Sequence, residues 1–292
     1  MINIITHVHS VDQIKTLKEM GCYELSVTTP FFSMGIEHTS TMLEIKSYFE
    51  IAKKVNIRLG ILINRLIMES EWLLFEAEIH DIYKFNPDFY IVSDLGVMLY
   101  IKQTTKKPVY FHSETTIANT NDAKLLLQYA ESIMPARELT IKKKSEIIRA
   151  LKEKVMVPVF GYQVISKSYR PLLTNYFNEI QNPEKVKMKK HFFREEKRDN
   201  LYIGFEDDHG FTMFTDKALN IFKEKHFLEE AGLKTGWIDS NFIDNEVLYD
   251  VVMYFHDLIS YQQLEEKMLQ WKIETDELLS YQDTTTIKEG SE

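Results

Sequence analysis

The sequence predicts an α/β protein: a (β/α)8 TIM-like barrel with an insertion before its last strand. Three observations carry this expectation. Short β-branched runs alternate with stretches of helical period from the first residue onward, which implies a parallel sheet with right-handed crossovers. Polar and charged residues gather where each apolar run ends, as they do at the ligand-binding mouth of a barrel. The competing doubly wound sheet would open with a Gly-rich first turn, and none is present.

Taken in order, "INIITHV" reads as the first strand and "SVDQIKTLKEMG" as a helix with a Ser10 cap and a Gly21 stop. "YELSVTT" is the second strand. "TSTMLEIKSYFEIAKKVN" follows at helical period, with Met42, Ile45, Phe49 and Ala52 on one face. "IRLGILIN", "DFYIVSD", "PVYFHSE" and "SIMPARE" are strands three to six, followed by helices in "ESEWLLFEAEIHDIYKF", "LGVMLYIKQT", "NDAKLLLQYA" and "IKKKSEIIRALKEK". "VMVPVFG" is the seventh strand. Residues 178–226 break the rhythm with a basic linker and a hairpin, "YIGFEDDHGFTMF", turning near His209-Gly210. It then resumes with a helix in "ALNIFKEKHFLEEAG", the strand "LKTGWID" and one long helix, "NEVLYDVVMYFHDLISYQQLEEK". Residues 1–275 thus form the barrel unit, and 276–292 read as a polar, disordered tail.

The 292 residues are 44% apolar and 27% charged, a globular composition. No apolar run reaches the ~20 residues that span a bilayer, and the N-terminal stretch has no basic region ahead of an apolar core. Cys22 is the only cysteine, which excludes an internal disulfide and an all-cysteine metal site within this chain. These features predict a cytoplasmic protein without membrane association. The net charge of −9 argues against a dedicated nucleic-acid-binding domain, yet residues 184–198 hold seven Lys/Arg against three Glu. Lys185, Lys187, Lys189, Lys190 and Arg194 in that run are candidates for docking RNA or an acidic partner, against the simpler reading of a solvated loop.

At the strand ends stand Thr6 and His7, Thr28 and Thr29, Asn64, Asp94, His112 with Glu114, Arg137 with Glu138, Gly161 with Tyr162, and Asp239. Asp94 and Asp239 serve equally well as helix caps. His7-x-His9 suits a metal-dependent amidohydrolase, since alternation aims both rings to one side, but no second barrel-end His completes the set, so no metal site is expected. Cys22 lies away from the mouth, Ser113, Ser166 and Ser168 have no assigned base, and no Gly-x-Ser-x-Gly elbow exists. Lys167 and Arg170 beside Ser166 and Ser168 suit an anion.

"PARELTIKKKSEI" (135–147) followed by "FGYQVISKSYRPLLTNYF" (160–177) resembles the signature region of peptidase family U32, the collagenase-like group. Ala136-Arg137-Glu138-Leu139-Thr140 matches its Ala-Arg-Glu-Leu-Ser segment, and Gly161, Ser166, Ser168, Arg170 and Leu172 to Tyr176 match in register. Further matches are Asn64, Asp94-Leu95-Gly96, His112, "EEKR" (195–198), "EDDHG" (206–210) and "LEEAG" (228–232). The departures are Val164 and Pro171 at the two signature cysteine positions, Phe160 for the His before Gly161, and Trp237 to Asn241 for a late Lys-Ile-Glu-Gly-Arg. The resemblance implies a barrel. It also implies, for cysteine-bearing members, a [4Fe–4S] cluster supporting hydroxylation of RNA bases or quinones. This chain is similar to short, cysteine-free bacterial members that occur beside a longer cysteine-bearing one. That pair is associated with 5-hydroxyuridine at the tRNA wobble position and with prephenate as a required metabolite. The expectations are therefore no iron–sulfur cluster in this chain, a hetero-oligomer with the longer member, contact with tRNA, and a prephenate-related small molecule. Mouth residues Asn64, Asp94, His112, Arg137, Glu138, Tyr162, Arg170 and Asn175 would hold that ligand. A tRNA-hydroxylation subunit is favoured over the alternative of a peptidase, a hydrolase of the collagenase-like type.

Overall fold

The computed structural model describes residues 1–182, 185–194, 196 and 200–276. The expected tail beyond Asp276, and Glu184, Glu195, Lys197 and Arg198 of the basic run, lie outside the described residues.

Strand β1 (Asn3–Val8) leads into α1 (Val11–Glu19), whose first turn is held by the Gln13 amide donating to the Ser10 hydroxyl. After β2 (Glu24–Val27), α2 (Met42–Lys54) starts on a reciprocal capping box between Thr41 and Glu44 and buries Ile45, Tyr48 and Ala52. The units β3 (Arg58–Ile63) with α3 (Trp72–Tyr83) and β4 (Phe89–Val92) with α4 (Leu95–Thr105) follow. Next come β5 (Val109–Phe111) with α5 (Thr120–Leu126) and β6 (Ser132–Ile133) with α6 (Ile141–Leu151). Strand β7 (Met156–Gly161) ends the regular series.

The insertion departs from the series earlier than residue 178. Gly161 turns the chain at φ +123° and β8 (Val164–Ser168) begins a new antiparallel sheet, followed by α7 (Leu172–Glu179), β9 (Lys190–Arg194), β10 (Leu201–Asp207) and β11 (Gly210–Phe214). The order across this sheet is β8-β11-β10-β9, with the β10–β11 hairpin pairing Asp207 with Gly210. Part of the helix expected from Ala218 is instead a strand, β12 (Ala218–Asn220), because it pairs with the end of β7; the helix, α8 (Lys225–Ala231), starts later. After β13 (Thr235–Ile238) the expected single long helix is two, α9 (Asn245–Phe255) and α10 (Tyr261–Met268), separated where Asp257 takes a left-handed φ of 61° and Ser260 caps the second. Strand β14 (Thr275–Asp276) pairs with β12.

The fold is α/β with a mostly parallel sheet. The run β7-β13-β1-β2-β3-β4-β5-β6 is parallel at every step, and one parallel bridge, Ile133 to Val155, joins β6 to the start of β7. Alternation gives the strands two apolar faces. Ile4, Leu25, Leu59, Tyr90, Val109 and Val157 pack with the helices in the large core. Ile5, Leu62, Phe89, Ile91, Met134, Met156 and Trp237 form a separate cluster on the opposite face.

The antiparallel sheet is tied to the loops that follow the parallel strands. The Gly35 amide donates to Asp207 Oδ2 at 2.6 Å and the Leu66 amide to the Tyr169 hydroxyl at 2.9 Å, while His209 Nε2 lies 2.6 Å from the Pro30 carbonyl. It therefore covers the C-terminal ends of the strands, the region that positions the site.

Candidate functional site

The site is built from β5, β6, β7, β13 and the descending strand β8. His112 follows β5 directly; its amide donates to the Val92 carbonyl at 2.8 Å and its own carbonyl accepts from the Ser93 hydroxyl at 2.6 Å. Arg137 lies between β6 and α6, with its amide donating to the Glu114 carbonyl (3.0 Å) and its carbonyl accepting from Lys144 Nζ (3.3 Å), a lysine buried in α6. From the covering sheet, Lys167 Nζ reaches down to Glu114 Oε1 at 2.8 Å and to the Asn64 carbonyl at 3.1 Å. Glu114 Oε2 stands 3.7 Å from Arg137 Nη1, and Arg137 Nη2 donates to the Ile165 carbonyl at 3.1 Å. Asp239 follows β13 and accepts the Asn241 amide at 3.0 Å.

A cavity of about 40 Å3 lies here, its lining including His112, Glu114, Arg137, Tyr162, Trp237 and Asp239, with Lys167 held to Glu114 outside that lining. A water needs roughly 10–15 Å3 on this measure, so the space holds a few waters or the head of a larger ligand. Trp237 lies between two imidazoles, its ring centroid 5.6 Å from that of His112 and 6.2 Å from that of His7. Arg137 Nη1 and His112 Nδ1 are buried and have no hydrogen-bond partner among the described residues. Unsatisfied buried donors and acceptors are uncommon, and an unpaired guanidinium N–H calls for an acceptor oxygen.

Burial, with Lys167 adding to it against Glu114, pushes His112 down to about 4, so the ring is neutral at pH 7. Burial, with Glu114 adding, pushes Asp239 up to about 6 against the Asn241 amide and Lys167. Glu114 stays below its ordinary value because Lys167, His112 and Arg137 together outweigh its own burial. The cavity wall thus joins the Glu114 carboxylate, fixed between Arg137 and Lys167, to a neutral imidazole and an aspartate pushed up to about 6.

A pH dependence of stability follows. Burial lowers His112, His7 (to about 3) and His256 from 6.5; His256 accepts the Ile4 amide at Nε2 and donates from Nδ1 to the Met20 carbonyl. The unfolded chain therefore binds more protons as pH falls below 6.5, which removes stability. Asp239 acts oppositely between 3.8 and about 6, where the folded state holds the proton, and offsets one histidine. Between about pH 6 and pH 4, His7 and His112 less Asp239 leave about one more proton on the unfolded chain, so the unfolding free energy should fall by roughly 1–1.5 kcal/mol per pH unit, with His256 adding in the same direction. Urea titrations at stepped pH check this, and a flat profile contradicts it.

The structure brings His112, Arg137 and Tyr162 together in the cavity wall, and Asn64 joins through its carbonyl. The Asn64 side chain is engaged by Met34, accepting its amide (2.8 Å) and donating to its carbonyl (3.0 Å). Asp94 is a cap: its oxygens take the Val97 amide (3.0 Å) and the Ile67 amide (3.1 Å). Glu138 is 60% exposed, 3.7 Å from Arg137 Nε. Arg170 and Asn175 are exposed on the inserted unit, outside the cavity lining. Of the basic run, Lys187 pairs with Asp208 at 2.8 Å, Lys190 Nζ sits 5.2 Å from the Phe242 ring centroid, and Lys185 and Lys189 are exposed. Arg194 ends β9. The ligand set proposed from sequence omitted Lys167, Glu114, Trp237 and Asp239; Glu114 and Asp239 stood at strand ends and Lys167 beside two serines, while Trp237 carried no signal.

A four-thiolate cluster does not fit these residues. Val164 lines the cavity and Pro171 precedes α7, so neither offers a ligand. The thiol of Cys22 is fully buried in the core and pushed up to about 12 by that burial. Among the described residues no group of three or more His, Cys, Asp or Glu is placed to hold a metal ion, and no helix is long and apolar enough to cross a membrane.

The profile described as Peptidase family U32 matches residues 9–287. The chain is 24% identical over 263 residues to "tRNA hydroxylation protein P2" of Bacillus subtilis (strain 168), covering 86% of this chain and 83% of that protein. Among solved structures, the U32 peptidase Mk0906 aligns over 82% of this chain and 94% of its own, with TM-score 0.50 and 11% identity. N-(5'-phosphoribosyl)anthranilate isomerase from Pyrococcus furiosus aligns over 89% and 100%, with TM-score 0.47 and 10% identity.

Proposed function

The chain belongs to peptidase family U32, and from that premise we propose that it is a non-redox, ligand- or partner-binding subunit supporting wobble-uridine hydroxylation of tRNA. The observation that carries the reading is Arg137, whose buried Nη1 makes no hydrogen bond among the described residues, lining a cavity with Glu114 and neutral His112, while Lys167 holds Glu114 from behind that wall. That is a cradle for a small carboxylate, the class to which prephenate belongs. The similarity to a tRNA hydroxylation protein supports the setting. Redox chemistry is assigned to a longer, cysteine-bearing partner, because Val164 and Pro171 supply no thiolate. We also infer that the eight parallel strands close into a barrel through the Ile133–Val155 contact, with the inserted sheet as its cover, and that the protein works in the cytoplasm.

The family name favours a second reading, a peptidase. The cavity offers little for it. Ser113 Oγ is held 2.5 Å from Thr116 Oγ1 and accepts the Thr116 amide, so it is no free nucleophile, and Cys22 is buried in the core.

The test is Arg137→Lys in the native host. A point charge does not replace a planar fork, so 5-hydroxyuridine in tRNA should fall about tenfold or more, as for loss of a transition- or ligand-state hydrogen bond to a charge. The melting temperature and co-purification of a longer family member should persist. Unchanged hydroxylation, or peptide cleavage by the purified chain that Arg137→Lys abolishes, overturns the reading.

A further inference from the structure

We propose that the cleft between the inserted sheet and the rim of the parallel sheet binds one unstacked nucleotide of single-stranded RNA, with the base on Phe192 and phosphates at Lys190 and at Lys217, which in the free protein stands 3.3 Å from Glu274 in the same wall. The proposal deepens the tRNA reading and rests on it. The cleft measures about 570 Å3, within the ~300–1,000 Å3 range of small-molecule sites and so large enough for a nucleoside.

The chemistry comes from β9, the edge strand of the inserted sheet. Its exposed positions are Lys190, Phe192 and Arg194, while His191 and Phe193 are half-buried on the other face. Phe192 is 63% exposed, directly across from Ile203 on β10 in the wall of the cleft. Phe242, a buried ring in the same lining, carries Lys190 Nζ 5.2 Å from its centroid. An aromatic flanked by cations along an edge strand suits nucleic acid, because every base has a π-face to stack and every linkage a negative charge. A duplex keeps its bases in the stack and leaves Phe192 with nothing to cover it. Tyr162 lines both this cleft and the 40 Å3 cavity, so the two spaces share a wall. Asn200, donating to Asp216 Oδ2 at 2.5 Å, supplies a polar edge for a base.

The test measures anisotropy of labelled oligo-uridylate with the full chain, against a duplex RNA and inorganic polyphosphate as competitors. Oligo-uridylate should be preferred over both. Phe192→Ala should weaken it about 5- to 150-fold, since one stacked base contributes roughly 1–3 kcal/mol, and Phe192→Tyr should restore it. Lys190→Gln should reduce the log–log salt slope by about 0.7. Unfolding midpoints should not change for these exposed side chains. Equal competition by polyphosphate, or unaltered binding in Phe192→Ala, overturns the stacking site. So does loss of a co-purifying protein in Phe192→Ala with RNA binding intact, which would make β9 a protein edge. These failures leave the Arg137→Lys result untouched, so the site and the tRNA reading fall separately.

Discussion

Glu71→Ala should lower the unfolding free energy by about 3 kcal/mol, the low end of the ~3–5 kcal/mol seen when one partner of a buried pair is removed. Arg65 is the reason. Its side chain is 1% exposed, and its two terminal nitrogens meet Glu71 Oε2 at 3.1 Å and Oε1 at 2.9 Å. Its Nε donates to the Phe31 carbonyl at 2.7 Å, and the guanidinium lies 4.8 Å from the Phe31 ring centroid. Removing the carboxylate leaves a charge that cannot reach water without unpacking the loops after β2 and β3. Glu71 is itself 31% exposed, which places the effect at the low end. The double variant Arg65→Met, Glu71→Ala should recover part of the loss, because it removes the stranded charge. Guanidinium unfolding checks both, and a double variant no better than the single contradicts the account.

Gly161→Ala should cost about as much, roughly 3 kcal/mol or more, by combining two mechanisms that each disfavour a side chain. At φ +123° an L-residue is strained, and a Cβ there would stand 2.3 Å from the Asp239 carbonyl oxygen, a backbone atom that has no alternative rotamer. The chain must either open β7 from β13 or lift Asp239. The second outcome disturbs the cavity, so the variant should also lose the folded-state elevation of Asp239. A pH titration of stability in Gly161→Ala separates this from simple destabilisation. A midpoint within error of the parent would show that the turn tolerates a Cβ.

Most of the parallel unit was legible because its elements carry clean periods: β3 reads as one apolar run, and α2 announces itself with Thr41 and Glu44. The inserted sheet was not. β8, "VISKS", is half-buried with no apolar alternation and is a strand only because β11 pairs with it. β12 hid inside a run of helical appearance, since its partner Gly161 is far away in sequence. For the site, position at a strand end was enough to pick out His112, Arg137 and Tyr162. Lys167 was seen as an anion binder but not placed, because its contact with Glu114 exists only once the inserted sheet folds back. Asp94 shows the converse: a carboxylate at a strand end whose hydrogen bonds go entirely to two amides.

The pairing of β1 with β13 also sets a timetable for synthesis. The Ile4 amide and His256 meet across 252 residues, and β13 is the strand that lies between β1 and β7. At about 5–20 residues per second a ribosome takes roughly 10–50 s to supply that stretch. Until β13 emerges the nascent chain presents the edge of β1, and for the shorter stretch after Gly161 that of β7, with nothing to pair, a template for association with other chains. Slowing translation between the codons for Gly161 and Thr235 should lower soluble yield more than slowing it after Phe255.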